Sequence, residues 1–136
     1  MDALRDRRRA MMAAAGPAPS ELYPVGTDIK NLYAPYPDAW LSGRTIGSTT
    51  GNIVESSGGY CSDVYIPIDP AYSYRKNGNR MNYNAWYDED KVFISSFREY
   101  NVDTKALPAA PSNARYLRIS STSAVFASAL SIIRTA

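Results

Sequence analysis

Beyond residue 30, apolar and other residues alternate with the period of two that is typical of β-strands. Within residues 60–68, the apolar residues Val64, Ile66 and Ile68 are separated by single residues of other types. This segment is predicted to be a strand. Pro67 has no amide hydrogen to donate, which favours an edge position or a strand end.

A second pattern predicts a β-hairpin. Residues 81–87 and 92–97 are rich in β-prone side chains and flank the polar turn Asp88-Glu89-Asp90-Lys91. Residues 47–59 are rich in Ser, Thr and Gly, which indicates a long loop or a weak edge strand. Further strands are predicted at residues 39–41 with 43–46, 72–75, 116–120 and 126–134. Seven to nine short strands at this spacing predict an all-β antiparallel sandwich over residues 31–136.

Residues 1–30 are predicted to form a separate N-terminal anchoring arm. Residues 3–14 combine Ala, Leu, Met and Arg, which favour a helix, and Asp2 is placed to cap its first turn. The Pro- and Gly-containing residues 16–30 are predicted to be an extended linker. A helix of about twelve residues is marginal in water, so we expect it to form on the surface of a partner.

The amino-acid composition indicates which classes of partner, such as nucleic acid or a membrane, are not expected. Eleven of the 136 residues are Tyr, which suits half-buried β-surfaces and contact surfaces. A net charge of +2 is too small to indicate a nucleic-acid partner for the whole chain. No apolar run approaches the roughly 20 residues of a membrane-spanning helix, so no membrane insertion is expected. Because residues 10–15 are short for the apolar region of a signal peptide, the N-terminus is expected to be retained.

The side chains most often used in catalysis are scarce. The chain has no histidine, which is the commonest general base and metal ligand. Its single cysteine, Cys61, therefore has no histidine to activate it as a nucleophile. No pair of carboxylates stands out as the pair that a glycosidase needs. Asp88, Glu89 and Asp90 offer oxygen ligands for calcium, but three acidic residues in a tight turn are also typical of a solvated hairpin tip. We therefore expect no enzyme activity, no cofactor and no metal.

Three motifs together suggest a family. The hairpin at residues 83–95, the strand at residues 62–68 and the segment at residues 111–120, which reads PSNARYLRIS, resemble the carbohydrate-binding-module-like β-sandwich of phage tail and baseplate proteins. The resemblance implies a jelly-roll-like fold and a virion accessory protein. It also implies that residues 126–134 form the closing strand, although residues 124–130 contain enough Ala for a helix.

The predicted strand at residues 81–87 holds the candidate ligand site. Alternation sets Tyr83 and Tyr87 on one face and Asn82, Asn84 and Trp86 on the other, without deciding which face is buried. The resemblance implies that Trp86 points inward, so that Tyr83 and Tyr87 lie nearer to solvent. Tyr rings can stack on sugars while Asn side chains bond hydroxyls, so Tyr83, Tyr87, Asn82 and Asn84 form a tentative glycan site. The alternative is that these aromatics belong to the core or to a subunit interface.

The arm holds the candidate docking residues: Leu4, Arg7, Arg8, Arg9, Met11 and Met12. Such a basic run can contact nucleic acid, lie on an anionic membrane, pair with acidic grooves of a protein, or simply be solvated. Arg- and Met-rich openings before a linker resemble attachment segments of phage tail and fibre proteins, which favours docking onto other virion proteins.

The sequence thus predicts a decoration protein of a phage or phage-like particle, located in the virion on the tail, baseplate, fibre or capsid surface. Its sandwich would face outward, bind host-surface glycans weakly and multivalently, and assemble as a homo-oligomer such as a trimer. The alternatives are a purely architectural capsid or tail cement protein without a ligand, and a free-standing carbohydrate-binding module.

Overall fold

The computed structural model describes residues 21–136, so the predicted helix at residues 3–14 and all the predicted docking residues lie outside the described part of the chain. The strands are β1 (Trp40–Ile46), β2 (Ile53–Ser62), β3 (Ile66–Pro67), β4 (Tyr74–Lys76), β5 (Tyr83–Tyr87), β6 (Phe93–Arg98), β7 (Lys105–Ala106), β8 (Tyr116–Arg118), β9 (Ser120–Ser121) and β10 (Ile132–Arg134). The helices are α1 (Ile29–Tyr33) and α2 (Ala124–Ala129).

The strands form three sheets, in which every pairing is antiparallel. Their strand orders are β1-β2-β9, β10-β4-β7 and β3-β8-β5-β6. The prediction of a mostly antiparallel all-β protein is therefore confirmed for residues 21–136.

The predicted hairpin is present as β5 and β6. Tyr83 pairs with Arg98 at its open end. At the turn, the Asp88 carboxylate accepts hydrogen bonds from the amides of Asp90 at 2.9 Å and Val92 at 3.0 Å, and Lys91 adopts a left-handed φ of 64°. The Asp88 side chain therefore reinforces a turn that the backbone also closes, since the Asp88 amide donates to the Val92 carbonyl and the Lys91 amide donates to the Asp88 carbonyl.

The predicted strand at residues 60–68 is divided between two sheets. β2 ends at Ser62, and β3 lies at the edge of the four-stranded sheet, where the missing amide of Pro67 is tolerated. The Ser62 hydroxyl donates to the carbonyl of Val64 at 3.3 Å and accepts from the amide of Ile119 at 3.2 Å. These local side-chain hydrogen bonds compete with the regular pairing of a strand. The segment therefore bends at a point where the alternating pattern predicted one continuous strand.

Another prediction of secondary structure is wrong. Residues 126–129, expected to belong to the closing strand, form part of α2, because the Ser123 hydroxyl accepts from the amide of Phe126 and caps an Ala-rich run. Only Ile132–Arg134 remains as the closing strand. Residues 53–59 of the segment expected to form a long loop or a weak edge strand belong to β2. Within residues 21–136, β9 pairs with β2 only at Tyr60 and Cys61, so residues 53–59 lie at a sheet edge, as the second alternative predicted.

The four-stranded sheet is covered on both faces. Trp86 packs into the larger core with Ile66 and Leu117, whereas Ala85 and Tyr87 join a second cluster with Ile46 and Cys61. The inward position of Trp86 is therefore confirmed. The expectation that Tyr87 lies nearer to solvent is wrong, since only 2% of it is exposed.

Residues 21–30, assigned to the arm, belong to the packed body. Tyr23, Ile29 and Lys30 are all buried. The Tyr23 hydroxyl donates to the carbonyl of Pro67 at 2.8 Å. The backbone carbonyl of Tyr23 accepts from Arg134 Nη1 at 2.6 Å. The predicted division at residue 30 is therefore misplaced, because the composition change near Pro-rich residues 17–24 precedes side chains that complete the core.

We expect deletion of residues 1–30 to destabilise the body far more than deletion of residues 1–20. The longer deletion removes Tyr23 and Ile29 from the core, and truncation of a buried side chain of this size typically costs about 2–5 kcal/mol. Chemical denaturation of both fragments measures the difference. Equal unfolding free energies would show that residues 21–30 do not stabilise the body.

Candidate functional site

The β1–β2 hairpin contains a large irregularity. Ser42 pairs with Tyr60, but Arg44, two residues later, pairs with Glu55, five residues before Tyr60. Residues 56–59 therefore lack one-to-one partners on β1 and form a wide bulge. Ser57 and Gly58 in this bulge are exposed, so the bulge presents a Ser- and Gly-rich edge to solvent.

Two glycines make this bulge possible. Gly58 has a left-handed φ of +76°, which side chains rarely tolerate. A Cβ atom on Gly59 would lie 2.6 Å from the backbone oxygen of Arg44, too close for any other residue. The Ser-Ser-Gly-Gly sequence is therefore what allows β2 to bulge while β1 and β2 stay paired on both sides.

The bulge forms one wall of a small cleft, which we call the bulge cleft. Its volume is about 230 Å³, and it is lined by residues 56–59, Asn82, Tyr100, Ser121 and Thr122. The lining supplies several hydroxyls, one side-chain amide and one aromatic ring. None of these lining residues carries a charge, so the lining itself suits the part of a ligand that is rich in hydroxyl groups.

Two arginines lie beside the aromatic ring of this cleft. Tyr100 is 46% exposed and is the one exposed aromatic residue among residues 21–136. The guanidinium carbons of Arg80 and Arg98 lie 4.6 Å and 4.2 Å from its ring centroid, within the range of cation–π attraction. Arg98 Nε also donates to Asn82 Oδ1 at 3.0 Å, which orients the Asn82 amide at the cleft.

A buried lysine holds the two chain segments that carry this arrangement. Lys76 Nζ donates to four carbonyls: Asn77 at 3.1 Å, Asn79 at 2.9 Å, Asn101 at 3.1 Å and Asp103 at 2.7 Å. Two of these carbonyls belong to the immediate neighbours of Arg80 and Tyr100. Burial lowers the pKa of Lys76, while the nearby carboxylates of Glu99 and Asp103 act in the opposite direction. The ammonium group thus joins both segments, in addition to the backbone hydrogen bond from the Met81 amide to the Glu99 carbonyl.

The structure brings only part of the predicted glycan site together. Asn82 lines the bulge cleft, and Tyr83 is half-buried with its ring centroid 5.1 Å from the guanidinium carbon of Arg98. Asn84 is fully buried: it accepts from the amide of Ser120 at 3.0 Å and donates to the carbonyl of Asn82 at 2.9 Å. Asn84 therefore joins β5 to β9 and cannot present its amide at the surface.

Tyr87 is also removed from the candidate site. Its hydroxyl donates to the carbonyl of Gly51, and burial raises its pKa to about 12. Sequence reasoning missed Tyr100, Arg80, Arg98 and the bulge. The one available signal was the glycine pair within an otherwise strand-forming segment, which is typical of a bulge.

Comparisons with protein-family models, with curated proteins and with solved structures found no match to the chain. Within residues 21–136, no group of three His, Cys, Asp or Glu residues is placed to hold a metal ion. In the same part of the chain, neither helix has the length and apolar character required to cross a bilayer. The case for the bulge cleft therefore depends on its own geometry.

Substitution of Lys76 by Met is expected to lower the unfolding free energy by about 3 kcal/mol, because several buried carbonyls would lose their donor. Arg75→Met is the matched control: it changes an exposed cation on the same strand and should cost less than about 0.5 kcal/mol. Denaturant titration of both variants measures the difference. A Lys76→Met variant as stable as the control would mean that water or the loop backbone replaces the ammonium group.

Proposed function

We propose that this chain is a decoration protein of a phage or phage-like particle, and that its bulge cleft binds saccharides. In this proposal, the sheets form an outward-facing, jelly-roll-like β-sandwich, and residues before the packed body attach it to other virion proteins. The protein acts by binding, and it assembles as a homo-oligomer such as a trimer.

The observation that carries the saccharide proposal is the half-exposed ring of Tyr100 in a cleft lined by hydroxyls and an amide. Sugar rings combine apolar faces, which stack on aromatic side chains, with hydroxyls that exchange hydrogen bonds. The bulge cleft offers Tyr100 for the first contact, and Asn82 with the Ser and Thr hydroxyls for the second. Its residue types are those that the sequence predicted, although most of the residues are different.

The size of the cleft favours weak binding by each copy. A volume of about 230 Å³ is below the range of about 300–1,000 Å³ that is usual for ligand pockets, so the cleft suits one sugar ring. Weak sites become effective when many copies act together, because linked sites raise avidity without new contacts. A particle that carries many copies provides this arrangement, which supports the location proposed from the sequence.

Replacement of Tyr100 by Ala should abolish saccharide binding without unfolding the protein, because its ring is half-exposed. The measurement is a glycan array followed by titration of the best ligand. Tyr100→Phe keeps the ring and should retain most of the affinity. Val102→Ala, which changes another exposed residue two positions away, should bind like the wild type. If the wild type binds no glycan, the purely architectural alternative replaces this proposal.

Substitution of Arg7, Arg8 and Arg9 by Ala is expected to reduce incorporation into particles while leaving saccharide binding intact. Raised salt should release the wild-type protein, because exposed charge pairs are screened over about 10 Å at 0.1 M salt. The matched control removes three exposed cations from the body: Arg75, Lys105 and Arg115. Unchanged occupancy in purified particles would contradict attachment through the arginines.

A further inference from the structure

Positive charge is concentrated beside the bulge cleft. The guanidinium carbons of Arg80 and Arg98 lie 4.6 Å and 4.2 Å from the centroid of the Tyr100 ring, so both cations pack against the same side chain. Two positive charges beside one ring raise the local positive potential, which attracts an anion. The net charge of the whole chain is only +2, so this concentration is a local feature of the site.

The carboxylates nearest in sequence do not neutralise this pair. Glu99 lies between Arg98 and Tyr100 in the chain, but it is buried. It forms an ion pair with Lys105 Nζ at 3.7 Å and accepts a hydrogen bond from Asn101 Nδ2 at 3.3 Å. Glu55 precedes the bulge and lies opposite Arg44 in the hairpin. Among residues 21–136, the ion pairs involve neither Arg80 nor Arg98.

The two guanidinium groups also retain donors. Arg98 uses Nε to orient Asn82, and the hydrogen bonds within residues 21–136 do not engage its two terminal nitrogens. Arg80 Nε is buried and has no hydrogen-bond partner in the same part of the chain. A ligand cannot reach the buried Nε without rearrangement, so the terminal nitrogens of Arg80 are the donors left for a bound acceptor.

We infer that the bulge cleft prefers anionic saccharides, with the acidic group of the sugar bound by Arg98 and Arg80 and the sugar in contact with the exposed part of the Tyr100 ring. This inference rests on the proposed saccharide function and specifies its ligand class. Carboxylate and phosphate share the chemistry that the site selects, since both accept paired hydrogen bonds from a planar guanidinium group. The neutral lining of the cleft would contact the hydroxyls, while the arginines supply the charge.

The test compares matched sugars on the full-length protein. A glycan array carries each oligosaccharide in a neutral form, a form with uronate carboxylates and a form with a phosphate monoester. The best set is then titrated at about 0.05 M and 0.5 M salt. We expect one anionic form to bind at least tenfold more tightly than its neutral counterpart at low salt, and this advantage to shrink at high salt. The two anionic arms distinguish carboxylate from phosphate.

Variants assign the preference to residues. Arg98→Gln should weaken binding of the anionic form about tenfold more than binding of the neutral form, which loses only the orientation of Asn82 by Arg98. Arg98→Lys should keep part of the anionic advantage because the charge remains. Arg75→Gln changes an exposed residue of β4 and should leave the affinity advantage of the anionic form unchanged. Equal binding of neutral and anionic forms would overturn this inference and leave the saccharide function intact. No binding of any glycan would overturn both.

Discussion

The burial of β5 on both faces is the constraint on which the rest of the structure depends. Asn84, Ala85, Trp86 and Tyr87 are all buried, so neither face of this strand remains available to a ligand. Trp86 joins the larger core, and Tyr87 joins the smaller one below the β1–β2 hairpin. Because the centre of β5 is fully used for packing, this strand can offer binding chemistry only at its ends.

The bulge cleft lies at such a place. Asn82 immediately precedes β5, Tyr100 follows β6, and residues 56–59 interrupt the pairing of β2 with β1. The Asn82 amide donates to the Ser120 carbonyl and the Asn82 carbonyl accepts from the Glu99 amide, and specific side chains add further hydrogen bonds. Lys76 binds the carbonyls next to Arg80 and Tyr100, and Asn84 bonds the carbonyl of Asn82. The buried polar groups thus support the exposed ones.

Local patterns in the sequence were sufficient to predict some elements of secondary structure and not others. The β5–β6 hairpin could be predicted because its turn, with Asp88 as the closing acceptor, is encoded in adjacent residues. The helix capped by Ser123 was missed because the resemblance was preferred to local helix propensity. Alternation placed Tyr87 and Trp86 on opposite faces but could not show that both faces are covered. The cleft joins Ser57, Tyr100 and Thr122, which only tertiary packing brings together.

An NMR titration of the full-length protein against the glycan that it binds most tightly tests whether the glycan binds in the bulge cleft. With backbone and side-chain amides assigned, we expect chemical-shift changes at Asn82, Tyr100 and residues 56–59, and none of comparable size at Asn84 or Tyr87. Changes centred instead on the larger cavity lined by Leu22 and Tyr116, or spread along β5, would contradict it.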